Sequence, residues 1–147
     1  MQEIITKIQN EVISFLQEAD GGTDKPLSYL CEDSCSEISR LTAFWLSQKL
    51  QKAKFLILKG EKVQGEKSHD ILAVSYLDKI FLVDTAIWQF FPDHENSYLG
   101  EFVNLDKARV FLEKFYGGKW QVSEKLTDES FKEKNEWKKI IYLNLKV

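Results

Sequence analysis

Two runs of β-type residues separated by a short turn constrain the fold of this chain most. The runs span residues 69–76 and 80–84, and their β-type residues on either side of Leu77-Asp78-Lys79 predict a β-hairpin. Side chains alternate across a strand, so a connecting loop of even length places His69 on the same face as Asp84. A two-residue loop at Leu77-Asp78 pairs Ile71 with Asp84 and leaves His69 one diagonal step from Asp84. We therefore expect these two side chains to come within hydrogen-bonding reach.

An amphipathic helix is predicted to begin near Ser34. Its apolar residues recur at intervals of three and four positions: Ile38, Leu41, Phe44, Trp45 and Leu50. The segment also matches the capping-box pattern, with Ser34 at the N-cap and Glu37 at the third helical position. Cys35 then falls in the first helical turn, where the helix dipole favours a thiolate. An imidazolium beside such a position lowers a thiol pKa from about 8.5 to roughly 3.5 to 7.5.

Cys35, His69 and Asp84 follow one another along the chain as a thiol, an imidazole and a carboxylate. Together they form a complete set for cysteine acyl transfer: a nucleophile, a base and an acid that fixes the imidazole tautomer. Unassigned backbone amides at the start of the helix are candidate donors to an oxyanion. The sequence therefore predicts catalysis through a thioester on Cys35.

The remaining periodic segments predict an α+β domain. Helices are expected over residues 2–19 and 106–115, strands over 55–58, 120–123 and 140–145, and loops over 23–28 and 92–97. The length of 147 residues, without an evident linker, is typical of a single domain that spans residues 1–147.

Three blocks of the chain resemble the transglutaminase-like and papain-like cysteine enzyme superfamily. They are Cys35-Ser36-Glu37-Ile38-Ser39, Ser68-His69, and Val83-Asp84-Thr85-Ala86 followed by Gln89-Phe90. The resemblance covers about residues 28–92. This stretch is similar above all to small bacterial papain-fold domains, some of which are modules of polymorphic toxins. It implies a cysteine helix packed on an antiparallel sheet, and thiol-dependent proteolysis, deamidation or transamidation of a protein or peptide. One departure is that Asp70-Ile71 follows the histidine, where transglutaminase-like members often carry an aromatic residue.

Residues after the second strand of the hairpin are candidates for contact with substrate. Gln89 is expected to orient the substrate or the oxyanion, or to make only a polar contact in a loop. Trp88 forms with Phe90 and Phe91 an aromatic cluster that either covers the core or closes over the thiol and excludes water. His94 is expected to be a solvated loop residue.

Several interpretations of these residues compete with the enzymatic hypothesis. Cys31 is expected to be an inert core residue or a neighbour of the site, although Cys31 and Cys35 would also suit a redox pair. Only His69 and His94 remain as further soft ligands, and their spacing matches no standard zinc pattern, so neither a metal nor another cofactor is expected. The main alternative is a non-catalytic protein-binding module on the same fold, such as a toxin-associated domain.

Charge and hydropathy bear on partners and location. The net charge of -3, with acidic and basic residues interspersed, argues against nucleic acid or an anionic membrane as partner. The first five residues lack the basic start and apolar run of a signal peptide, and no later segment approaches a membrane-spanning length. Two cysteines suit a reducing compartment. The sequence thus predicts a cytoplasmic protein.

Overall fold

The computed structural model describes residues 1–22 and 24–146. Five helices are described: α1 (Gln2–Ala19), α2 (Leu27–Leu30), α3 (Cys35–Ser47), α4 (Leu105–Phe115) and α5 (Lys134–Lys146). Five strands accompany them: β1 (Lys54–Val63), β2 (Lys67–Tyr76), β3 (Lys79–Val83), β4 (Tyr98–Phe102) and β5 (Lys119–Leu126). Two 3₁₀ turns lie at Ile87–Gln89 and Ser130–Glu133. The expected α+β class is confirmed.

The strands form one antiparallel sheet in the order β4-β3-β2-β1-β5. Neighbouring residues of a strand belong to different apolar clusters, because their side chains point to opposite faces. Ile57 and Leu72 lie in the cluster formed with α1, α3 and α5, whereas Leu58 and Ile71 lie in the cluster formed with α4. The sheet is therefore covered by helices on both faces.

The hairpin of β2 and β3 has the predicted register. Tyr76 pairs with Lys79, so Leu77 and Asp78 form a two-residue loop, and both have positive φ angles, of 51° and 61°. Such a turn matches the twist of the flanking strands. Strand β3 ends at Val83, which pairs with Leu72. The residues of β2 that precede Leu72, His69 among them, therefore extend past the end of β3.

Two predictions about the elements are wrong. Residues 140–145 lie in helix α5 and not in a strand, because Trp137, Ile141 and Leu145 recur every fourth residue and are buried against the other helices. The capping box is also not formed. Ser34 does precede the first residue of α3, but its hydroxyl accepts a hydrogen bond from the Asn144 side chain of α5 at 2.9 Å.

Strand β4 lies in a part of the chain for which no element is predicted from the residue pattern. Gly100 and Glu101 interrupt the apolar pattern there, and the strand sits at the edge of the sheet beside β3. None of the helices in residues 1–22 and 24–146 combines the length and apolar character needed to cross a bilayer.

Candidate active site

His69 and Asp84 meet at the end of the hairpin. The Nε2 atom of His69 lies 2.6 Å from Oδ2 of Asp84, and each residue is about 1% exposed. Asp84 follows the last residue of β3, and its own N–H donates to the Ser97 carbonyl at 2.8 Å. Its second carboxylate oxygen, Oδ1, accepts the Ala86 N–H at 3.0 Å. Both oxygens of the carboxylate are thus held by hydrogen bonds. The approach of Asp84 to His69 is the one that the hairpin register predicts.

A residue that the sequence did not reveal also binds this carboxylate. The hydroxyl of Tyr116 donates to Oδ2 of Asp84, the same oxygen that contacts His69. Tyr116 follows helix α4 directly and is 3% exposed. In the sequence, Gly117-Gly118 after an aromatic residue indicates the end of a helix but not the site to which that end leads.

Aromatic side chains surround the imidazole ring of His69. The ring centroid of Phe90 lies 4.5 Å away, that of Tyr116 5.3 Å and that of Trp120 6.2 Å. Gly60, which pairs with His69 across β1 and β2, leaves the space that the Trp120 indole fills, since a Cβ atom there would overlap the indole. The enclosure excludes water, and the interactions of the buried charges are stronger in such a dry environment.

Cys35 is the first residue of α3 and is partly exposed. Its thiol interacts with the His69 imidazole closely enough to affect the pKa of that ring. The Nδ1 atom of His69 has no hydrogen-bond partner at standard geometry within residues 1–22 and 24–146, and Nε2 is bound to Asp84. The Nδ1 atom is therefore the ring nitrogen left for the thiol.

Two hydrogen bonds anchor α3 beside the hairpin. The Ser39 hydroxyl donates to the Asp70 carbonyl at 3.1 Å, one residue beyond His69. The Thr42 and Thr85 hydroxyl oxygens lie 2.6 Å apart, one residue beyond Asp84. Helix α3, which carries Cys35, is therefore hydrogen-bonded to the residues that directly follow His69 and Asp84 in the chain.

Opposing effects determine the pKa of His69. Burial alone would lower it, but the charge and hydrogen bond of Asp84, together with the Cys35 thiol, raise the pKa from 6.5 to about 10. The imidazole is therefore protonated at neutral pH and carries its charge between a carboxylate and a thiol.

Cys31 lies in a different environment. It is fully buried, and its thiol donates to the Thr85 carbonyl at 3.7 Å. Burial, with further contributions from Asp84 and Cys35, raises the pKa of the Cys31 thiol. At neutral pH this cysteine is a neutral member of the core, and both cysteines are free thiols.

A polar cavity of about 600 Å³ is lined by residues that are close in sequence to Cys35, His69 or Asp84. Its lining consists of Ser28, Tyr29, Glu32, Asp33, Lys67, Ser68 and Gln89. Gln89 thus lines this cavity, and its buried Oε1 accepts no hydrogen bond from the part of the chain that the structure describes. Trp88 does not line this cavity. It is 3% exposed and its indole N–H donates to the His94 carbonyl at 2.8 Å, so its predicted substrate contact finds no support here.

Comparison with protein-family models, with curated proteins and with solved structures finds no match. The resemblance to papain-like enzymes thus stays a prediction that depends on the residues and geometry described above. No group of three or more His, Cys, Asp or Glu residues suited to hold a metal ion occurs within the described ranges.

Proposed function

We propose that this protein is a cysteine-dependent hydrolase or acyltransferase that acts on an amide of a protein or peptide. The observation that carries the proposal is the position of His69, whose Nε2 lies 2.6 Å from Asp84 and whose ring also interacts with the Cys35 thiol. A papain-like or transglutaminase-like arrangement, of the kind found in small toxin-type domains, is part of the same proposal. The two free cysteines suit a reducing, cytoplasmic setting.

In the first half of the reaction the Cys35 thiolate attacks the carbonyl carbon of the amide. A carbon–sulfur bond forms, and the carbonyl electron pair moves to the oxygen. His69 then donates its proton to the amide nitrogen, and the carbon–nitrogen bond breaks. The amine leaves, and a thioester on Cys35 remains beside a neutral imidazole.

The start of α3 is suited to stabilise the negative oxygen of the intermediate. The first helical N–H groups have no acceptor within their own helix. The N–H groups of Cys35 and Ser36 donate to no carbonyl in residues 1–22 and 24–146, whereas Ile38 already bonds to Ser34. Backbone donors of this kind, at the positive end of a helix dipole, act as an oxyanion hole.

The second half of the reaction releases the acyl group. The neutral His69 accepts a proton from the incoming acceptor, which attacks the thioester carbon and displaces the Cys35 thiolate. Water as acceptor gives hydrolysis of a peptide bond or deamidation of a side-chain amide, and a primary amine gives transamidation. Asp84 stabilises the imidazolium that re-forms.

Selective alkylation tests the reactive thiol without knowledge of the substrate. We expect iodoacetamide at pH 7 to label Cys35 at least tenfold faster than Cys31, as followed by peptide mass spectrometry, because thiolates react and neutral buried thiols do not. His69→Asn should slow labelling of Cys35, and Cys31→Ser serves as the matched control that should not. Equally slow labelling of both cysteines would contradict the proposal.

Turnover is then measured as release of ammonia or new amino termini from a panel of proteins and glutamine peptides. Cys35→Ala should abolish it. A protein in which Cys35→Ala and His69→Asn leave every cellular and binding phenotype unchanged would instead be a protein-binding module.

A further inference from the structure

The Asp84 carboxylate has more donors than the proposed acyl transfer uses. Oδ1 accepts the Ala86 N–H at 3.0 Å, and Oδ2 lies 2.6 Å from Nε2 of His69. The Tyr116 hydroxyl donates to that same Oδ2. Tyr116 belongs to the apolar cluster on one face of the sheet, whereas Cys35 packs against the cluster on the other face.

The hydroxyl and the imidazolium compete for negative charge on one oxygen. A hydrogen bond to the ionised form of a group stabilises that form. The phenol takes up part of the hydrogen-bonding capacity of Oδ2, so this oxygen stabilises the His69 imidazolium less than it would alone. Burial and Asp84 raise the pKa of Tyr116 well above 10, so the phenol remains a neutral donor over the range in which His69 titrates.

We propose that Tyr116 is a positioning residue whose hydroxyl weakens the stabilisation that Asp84 gives the His69 imidazolium, so that His69 releases its Nδ1 proton more readily to a leaving group. This inference rests on the proposed function for its catalytic meaning. The alternative is that Tyr116 contributes only to packing. Its ring centroid lies 5.9 Å from that of Phe90 and 5.3 Å from that of Trp120.

Tyr116→Phe separates the two roles, because it keeps the ring and removes only the hydroxyl. The imidazole titration is followed by ¹⁵N NMR, with His94→Gln to assign the two histidines. We expect the His69 titration to move upward by about one pH unit, because hydrogen bonds to charged groups are strong enough to shift a pKa by that amount. Tyr76→Phe, at the other end of β2, is the control and should leave the titration unchanged. An unchanged or lower His69 titration in Tyr116→Phe would overturn the proposal.

A second measurement keeps the test decisive if Tyr116→Phe folds poorly. Replacement of tyrosine by 3-fluorotyrosine makes the phenol a stronger donor, so the His69 titration should move downward, and no change or an upward shift would overturn the proposal. Neither titration requires a reactive Cys35. An unreactive Cys35 in the wild-type protein therefore refutes the proposed function, whereas an unshifted titration refutes the role of Tyr116.

Discussion

Replacement of Asp84 by Asn is expected to change how the free energy of unfolding depends on pH. In the folded protein, burial lowers the pKa of His69, but Asp84 and the Cys35 thiol raise it to about 10 overall. In the unfolded chain the pKa of an imidazole is about 6.5. The folded state therefore binds one more proton than the unfolded state between these two values. The stabilisation is fully present below pH 6.5 and is lost as the pH rises through about 10.

The magnitude follows from the width of that window. Each unit of difference in pKa corresponds to about 1.4 kcal/mol, so stability should fall by about 1.4 kcal/mol per pH unit and by about 5 kcal/mol across the window. A typical domain has a free energy of unfolding of roughly 5 to 15 kcal/mol. The effect is thus large enough to measure in a fold of this size. Without the carboxylate of Asp84, burial should dominate, so the imidazole stays neutral and this slope disappears.

Urea unfolding followed by tryptophan fluorescence at pH 6, 8 and 10 measures the slope. The comparison between wild type and Asp84→Asn cancels the titration of lysines and of the other tyrosines. Asp70→Asn is the matched control, because Asp70 lies next to His69 on β2 but pairs with Arg40 at 3.3 Å. It should retain the wild-type slope. Parallel curves for wild type and Asp84→Asn would refute the reasoning that Asp84 keeps His69 protonated.

Two further substitutions test the scaffold around the site. Gly60→Ala should destabilise the fold by about 1 to 3 kcal/mol in urea unfolding, because its Cβ would overlap the Trp120 indole. The loss should be smaller in a Trp120→Phe background, and equal losses would contradict the overlap. Replacing Leu77-Asp78 by Asn-Gly should stabilise the fold by about 0.5 to 1 kcal/mol, because both loop residues have positive φ angles. A loss of stability there would argue against the two-residue turn.

The hairpin was predictable because its information is local. The alternation of side chains and the number of residues in the loop determine which residues of β2 and β3 share a face. His69 and Asp84 could therefore be placed together from the sequence, and Cys35 could be placed at a helix start from the apolar spacing that follows it. The capping residue was less predictable, since the hydroxyl of Ser34 binds Asn144, a residue 110 positions away.

The errors arise where local preference and tertiary packing disagree. Ile140-Ile141-Tyr142 has β-type residues, but burial of Trp137, Ile141 and Leu145 against α1 and α3 selects a helix. Tyr116 could not be connected with Asp84 from the sequence, because 32 residues and strand β4 separate them and no periodic pattern relates them. Only the packing of α4 on the sheet brings the phenol to the carboxylate.

Burial of the His69–Asp84 pair links the site to the rest of the fold. Removing two charges from water is costly unless their remaining hydrogen-bonding groups are satisfied. Here the carboxylate receives donors from β2, from the turn after β3 and from the residue after α4, while α3 supplies the thiol. Each partner comes from a different element, so the charges are compensated only when those elements have all packed together. At the end of β3, residues from helices on both faces of the sheet reach the same pair: Cys35 of α3 interacts with His69, and Tyr116 after α4 binds Asp84.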